Sequence, residues 1–327
     1  MKAINALYIS KARSTHDKRF IEAFRELVQL DELYLDEFNP LVESNIFADR
    51  TLIIASPLST GLSSIPVKCD ARILGISMAY EINEESKEPS AFEEIKKNVE
   101  RCIAIICDCQ QIENELRNKF NFAGPILRIA YGCSQKNFLG IKLQDREKLR
   151  IVSTRNWTQI HSNETALEAL SMLKDKGVDF EVRFFGSGEK LTEETKIKSR
   201  ENFQEAVSYS GPYSQDDLPS ILTNSEIYIS TSISDGSSVS LLEAMSAGRI
   251  CISRDFPSNR EWIQHGHNGF LFSSTKDLAQ IFVEISKLTF AEKKLISEAA
   301  RKSVTGRADW ELMREALIDF GKQWAVL

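Results

Sequence analysis

Two carboxylates, Asp235 and Glu243, stand eight positions apart in the stretch 226–248, EIYISTSISDGSSVSLLEAMSAG. Between them run Gly236, Ser237 and Ser238, followed by Val239. Residues 227–230 read as a strand and 239–247 as a helix, so the small loop brings its amides to a helix N-terminus. The first amides of a helix lack intrahelical partners and carry the positive end of its dipole, which suits a phosphate. An acid on each side of a phosphate-sized nest is what a nucleotide-sugar site needs. One carboxylate holds ribose hydroxyls, the other holds sugar hydroxyls, and the amides between take the diphosphate. Arg155, just after the apolar run 149–153, could supply a fixed cation where charge builds on a departing diphosphate.

Positioning such a loop takes a strand-and-helix framework, and the sequence predicts one from end to end. Strands are expected at 4–9, 33–35, 51–55, 72–77, 102–107 and 126–129. A second set follows at 149–153, 180–185, 207–209, 227–230, 250–252 and 270–272. Amphipathic helices are expected between them, among others at 16–28, 91–101, 164–176, 216–223 and 239–247. Strands alternating with helices imply βαβ units and parallel sheets. The fold class is therefore α/β, with two doubly wound, Rossmann-like parallel sheets facing a cleft. At about 150 residues per domain, 327 residues also suggest two domains. The polar stretch 135–148 lacks strand character and separates the two series. It divides the chain into an N-terminal acceptor-side domain, 1–140, and a donor domain, 141–307. The tail 308–327 reads as one amphipathic helix whose apolar stripe must dock somewhere.

Composition removes several other classes. Gly and Pro, 15 and 8 residues, are far too few for a low-complexity or collagen-like chain. A formal net charge of −6 gives no general footprint for nucleic acid. No apolar run reaches the ~18 residues of a membrane span. The N-terminal apolar run is too short for a secretory signal and reads better as the first strand. Six cysteines match neither a disulfide framework nor a zinc pattern, and only four histidines are available. A reducing, cytoplasmic setting is expected, with association at the inner face of the membrane left open.

The motif Asp235-x7-Glu243 followed by AMSAG resembles the donor-binding motif of retaining glycosyltransferases of family 4. The resemblance extends over residues 149–325, including VSYSGPYSQDDLPSILTNSEIYIST and FPSNREWIQHGHNGFLF. It is weaker but traceable in SKARSTHDKRF, RILGISMAYEI and PILRIAYGCSQKNF. It implies the GT-B fold, a nucleotide-sugar donor, and metal-independent transfer with retention. It also implies a final helix that returns to the first domain. By this resemblance Glu243 is the ribose ligand and Asp235, an Asp in place of the commoner Glu, holds sugar hydroxyls. Ser237, Ser238 and Val239, with Gly236, form the diphosphate loop, and Arg155 is the arginine of the second domain's first loop. The family's lysine is replaced here by His161, a partial cation, a hydrogen-bond donor or simply a helix-start residue. Gly211, Pro212 and Tyr213 correspond to the base-binding loop.

Five other positions keep two readings each. Glu81 is an active-site carboxylate or a solvated loop residue. His16 and Asp17 begin a helix or contact the substrate on the acceptor side. Arg260 and Glu261 begin a helix or line the crevice. The expected activity is hexosyl transfer from a nucleoside-diphosphate sugar, UDP by family frequency, to a hydroxyl of a glycan, lipid-linked glycan or small molecule. No metal and no further cofactor are expected, since no Asp-x-Asp stands at a strand end. A non-catalytic nucleotide-sugar-binding relative acting in a complex is the alternative. An epimerase on the same architecture would need paired His and acids that are not evident.

Overall fold

The computed structural model describes residues 5–37 and 45–325. Contacts divide the chain into two compact units, 1–132 with 310–327, and 133–309. Ile4 of the first expected strand, and the last two residues of the tail, lie outside the described residues.

The first unit holds strands β1 (Asn5–Ser10), β2 (Gln29–Tyr34), β3 (Leu52–Ala55), β4 (Arg72–Ile76), β5 (Cys102–Cys107) and β6 (Ile126–Arg128). They form one parallel sheet in the order β2-β1-β3-β4-β5-β6. The second unit holds β7 (Leu149–Ser153), β8 (Phe180–Phe185), β9 (Val207–Gly211), β10 (Ile227–Ser230), β11 (Ile250–Arg254) and β12 (Phe270–Phe272). Their order, β12-β11-β10-β7-β8-β9, is that of a doubly wound nucleotide-binding sheet. Buried parallel strands read as near-continuous apolar runs because helices cover both faces. Each sheet accordingly has its own core, around Leu7, Ile53 and Ile105 in one unit and Ile151, Phe184 and Ile229 in the other. β2 starts four residues before its expected position. It is an edge strand, QLDELY, whose exposed Gln29 and Asp31 break the apolar run.

The expected boundary at 140/141 falls inside the second unit. Cys133 pairs with Asp309 as an isolated bridge, the Gln135 amide side chain donates to the Val304 carbonyl (2.7 Å), and Arg301 donates to the Phe138 carbonyl (3.1 Å). These bonds fasten the polar stretch to the helix Phe290–Val304.

In the first unit the C-terminal helix Trp310–Ala325 packs on the helix Thr15–Arg25. Arg314 forms an ion pair with Glu26, and the Arg19 guanidinium sits 5.5 Å over the Trp310 ring. Leu317 is fully buried. A Cβ on Gly321 would come within 2.6 Å of the Leu27 side chain and 3.2 Å of the Phe24 ring, so a larger residue would have to shift them. Leu317→Ala is expected to lower stability by about 2–5 kcal/mol, the usual cost of a buried Leu-to-Ala cavity. Urea denaturation of the variant beside the parent checks it. Among the described residues, no helix is long and apolar enough to cross a membrane.

Candidate functional site

In a doubly wound sheet, ligands bind past the carboxyl ends of the strands where the winding reverses. In the second unit that point lies between β7 and β10, which pair through Ile151–Ile227 and Val152–Tyr228. The loop after β7 carries Arg155. The loop after β10 carries Asp235-Gly236-Ser237-Ser238 and leads into the helix Val239–Ser246.

The structure joins these two loops directly. Arg155 Nη2 donates to Asp235 Oδ2 at 2.7 Å, and Nη1 donates to the hydroxyls of Ser238 (3.0 Å) and Ser240 (3.1 Å). The guanidinium thus lies across the first turn of the helix. Ser238 makes no side-chain cap. Its hydroxyl pairs with Ser240 at 3.1 Å, and Tyr228, buried on β10, donates to Ser240 at 2.8 Å. The Gly236 amide donates to Asp235 Oδ1 at 3.1 Å. Arg155 Nε and Ser234 Oγ are buried with no hydrogen-bond partner among the described residues.

Arg155 is held from behind as well. Asn163, buried at the start of the helix Asn163–Asp175, donates to the carbonyls of Arg155 (3.2 Å) and Asn156 (3.0 Å) and contacts Ser153 Oγ (3.1 Å). The Gly186-Ser187-Gly188 turn closes against the same loop. Cβ atoms on these glycines, at φ +86° and +151°, would meet the Arg155 carbonyl at 3.0 Å and the Trp157 carbonyl at 2.2 Å. Only a residue without a side chain fits there.

The remaining expected residues of this unit fall at varied distances from that centre. His161 is half-buried with Nδ1 2.9 Å from Thr158 Oγ1. Burial first, and then the Arg155 charge, push its pKa down to about 4, so it is neutral at ordinary pH. Glu243 is buried one turn into the helix. Tyr213, in the loop of Gly211 and Pro212, has its phenol pKa raised by burial and by the Glu243 carboxylate. Val239 is half-buried. Arg260 forms an exposed ion pair with Asp255 at 2.6 Å, and Glu261 caps the short helix Pro257–Arg260.

In the first unit, Glu81 is buried in the short helix Tyr80–Asn83, not a solvated loop residue. The Met78 and Leu58 amides donate to Oε1 at 2.9 and 3.5 Å. Loss of water outweighs these amides and lifts its pKa from 4.5 to about 7. Asp17 is buried, accepts from Tyr8 at 2.8 Å, and shares the helix N-terminus with its cap Ser14. His16 lies 5.9 Å from the Tyr131 ring.

The Glu81 shift fixes a pH dependence. The folded value lies above the unfolded one, so the folded state holds the proton more tightly. Its stabilising effect is complete below 4.5 and is lost as pH rises through about 7. A shift of this size corresponds to roughly 3 kcal/mol. Denaturation midpoints should therefore fall between about pH 4.5 and 7 more steeply in the parent than in Glu81→Gln. Equal slopes would show that Glu81 does not titrate in this way.

Sequence reasoning missed Ser240, Asn163, Ser258 and Trp262. Ser258 donates to the Asp235 carbonyl at 2.9 Å, and Trp262 Nε1 donates to Ser237 Oγ at 3.0 Å. The G-x-G at 186–188 was the one sequence signal for the turn behind Arg155. Among the described residues no group of three or more His, Cys, Asp or Glu side chains comes together as a metal site would require.

Two doubly wound parallel sheets, the second with an arginine across a helix N-terminus at its switch point, define the GT-B class of fold. Residues 143–303 match the family model described as glycosyl transferases group 1. A stretch of 104 residues is 34% identical to Glycosyltransferase 1 domain-containing protein 1 of Xenopus tropicalis, covering 31% of this chain and 29% of that protein. Another of 216 residues is 25% identical to the amylovoran biosynthesis glycosyltransferase AmsK of Erwinia amylovora, covering 60% of this chain and 51% of the relative. The chain thus spans about half or less of the length of these relatives. The crystal structure of Anabaena HepE in complex with UDP-glucose shares the fold at a TM-score of 0.77 and 14% identity, over 98% of this chain and 99% of that one. The structural likeness shows the fold.

Proposed function

We propose that the chain is a retaining glycosyltransferase that moves a hexosyl group from a nucleoside-diphosphate sugar to a hydroxyl acceptor. The observation that carries the reading is Arg155, fixed across the Ser238–Ser240 turn at the switch point and bonded to Asp235, with Glu243 buried one turn further along the same helix. Glu243 takes the ribose hydroxyls and Asp235 the sugar hydroxyls. The first-turn amides and Arg155 take the diphosphate. The buried Arg155 Nε and Ser234 hydroxyl are further groups that phosphate or sugar oxygens can satisfy, and such atoms cost about 1–3 kcal/mol when left unpaired.

As the anomeric C–O bond breaks, its electron pair goes to the diphosphate oxygen. The acceptor oxygen bonds to the anomeric carbon on the same face, and its proton passes to the departing phosphate. Arg155 stabilises the charge that develops. Because an arginine and helix amides can offset that charge, transfer is expected to survive excess EDTA. UDP sugars are the proposed donors, and a glycan, lipid-linked glycan or small molecule the acceptor.

A second reading is a nucleotide-sugar-binding protein without turnover. It is favoured by the neutral His161, which stands where the resembled family has a permanent charge. Proton NMR of the anomeric region during incubation with UDP-hexoses and UDP-N-acetylhexosamines separates the two. Release of UDP with a product of unchanged anomeric configuration supports the first. An inverted product would remove retention, and binding without UDP release would favour the second.

A further inference from the structure

We propose that Tyr228 is a positioning residue for Arg155: its phenol, acting through Ser240, holds the guanidinium in the orientation that meets the diphosphate. This rests on reading Arg155 as the cation that takes that ligand.

Tyr228 stands within β10, between Val152 of β7 and Cys251 of β11, and is fully buried. Burial pushes its phenol pKa well above the ordinary value, so the group stays a donor at ordinary pH. It donates to Ser240 Oγ at 2.8 Å. Arg155 Nη1 donates to the same oxygen at 3.1 Å. A hydroxyl oxygen has two acceptor lone pairs, and these two donors fill both. At the 3.1 Å contact between Ser240 and Ser238, the Ser240 hydroxyl must therefore donate and Ser238 accept. Ser238 also accepts from Nη1 at 3.0 Å, which fills its own pairs. Both Nη1 hydrogens thus end on oxygens whose orientation is set, and the order starts at the Tyr228 proton. Without that proton the Ser238–Ser240 bond can reverse, and Ser240 is free to turn from the guanidinium.

Two features go beyond the burial of a phenol that needs a partner. Ser238 is the N-cap of the helix Val239–Ser246, where a serine usually accepts from a first-turn amide. It makes no such bond. Its oxygen is committed to Arg155 and Ser240, which leaves the first-turn amides to a ligand. The second feature is charge. Of the side chains that Arg155 meets here, only Asp235 is a carboxylate. Hydroxyl oxygens orient a guanidinium without neutralising it, so its charge remains available to a diphosphate.

The test is calorimetric titration of the full chain with UDP and with uridine, which lacks the phosphates. Tyr228→Phe keeps the ring and removes the hydroxyl. It is expected to weaken UDP binding about 3–10-fold, the worth of one hydrogen bond, and to leave uridine binding unchanged. Made on Arg155→Ala, the same change is expected to cost no further UDP affinity, because Tyr228 acts through that side chain. An equal loss with uridine, a full additional loss on Arg155→Ala, or unchanged UDP affinity in a folded Tyr228→Phe would make Tyr228 a packing residue only. Should Tyr228→Phe not fold, Ser240→Ala, at a half-buried position, breaks the same chain of bonds and is held to the same outcomes. A parent that binds UDP no more tightly than uridine would instead overturn the diphosphate reading of Arg155, and this inference with it.

Discussion

Arg155→Ala is expected to lower kcat by about 10²–10³, the loss typical of removing one fixed stabiliser of developing charge. The guanidinium spans three partners: Nη2 meets Asp235 at 2.7 Å while Nη1 meets Ser238 and Ser240 at 3.0 and 3.1 Å. Its charge matters most when the bond to the diphosphate breaks, so the effect should fall on kcat more than on the KM for the nucleotide sugar. Arg155→Lys should restore activity only in part, because one ammonium cannot reproduce the planar fork. Steady-state kinetics with the turned-over sugar donor measures this. A kcat like that of the parent in the folded Ala variant would remove Arg155 from the chemistry.

Glu243→Ala is the second large effect, and it falls on binding. Glu243 is 3% exposed, one turn beyond the loop, and its charge raises the pKa of Tyr213. A carboxylate that bonds a ribose diol makes charge-assisted hydrogen bonds of about 1.5–3 kcal/mol. Its loss should weaken nucleotide binding on the order of 10–100-fold. Calorimetry with UDP reads the change, and a melting curve separates it from unfolding. Unchanged affinity in a folded variant would take Glu243 out of the site.

Much of the framework was legible because buried parallel strands are rich in β-branched and aromatic residues. The apolar run 102–107 coincides with β5, and 149–153 and 180–185, apolar apart from Arg150, Ser153, Glu181 and Arg183, coincide with β7 and β8. The edge strand β2 was less legible, since solvent on one side allows Gln29 and Asp31 into it. The boundary between units was displaced for a different reason. The polar stretch 135–148 gave no strand signal, yet groups within it bond to a helix more than 150 residues away, as the carbonyl of Phe138 does with Arg301.

The site shows the same division. Asp235, Ser238 and Glu243 share one local segment, and their meaning followed from strand, small loop and helix. That Arg155 reaches this segment could be expected from the strand end that carries it, but its three partners could not. Ser258 and Trp262 lie more than 20 residues from the atoms they hold, so only the packing of β11 beside β10 brings them there. Glu81 kept two readings in sequence because the strand end before it gave no sign of its burial, whereas the fold buries it against two amides. His161 illustrates the reverse case: its position was legible, but its neutrality depends on burial beside Arg155.

The most direct test of the account is a calorimetric titration of the full chain with UDP-glucose and other nucleoside-diphosphate sugars, paired with melting curves. The account predicts saturable binding by at least one of them, one per chain, weakened in Arg155→Ala and most strongly in Glu243→Ala. At about 100 times Kd that ligand should stabilise the protein by roughly 2.7 kcal/mol. No heat and no change in melting temperature with any nucleotide sugar, or binding equal in the parent and both variants, would contradict it.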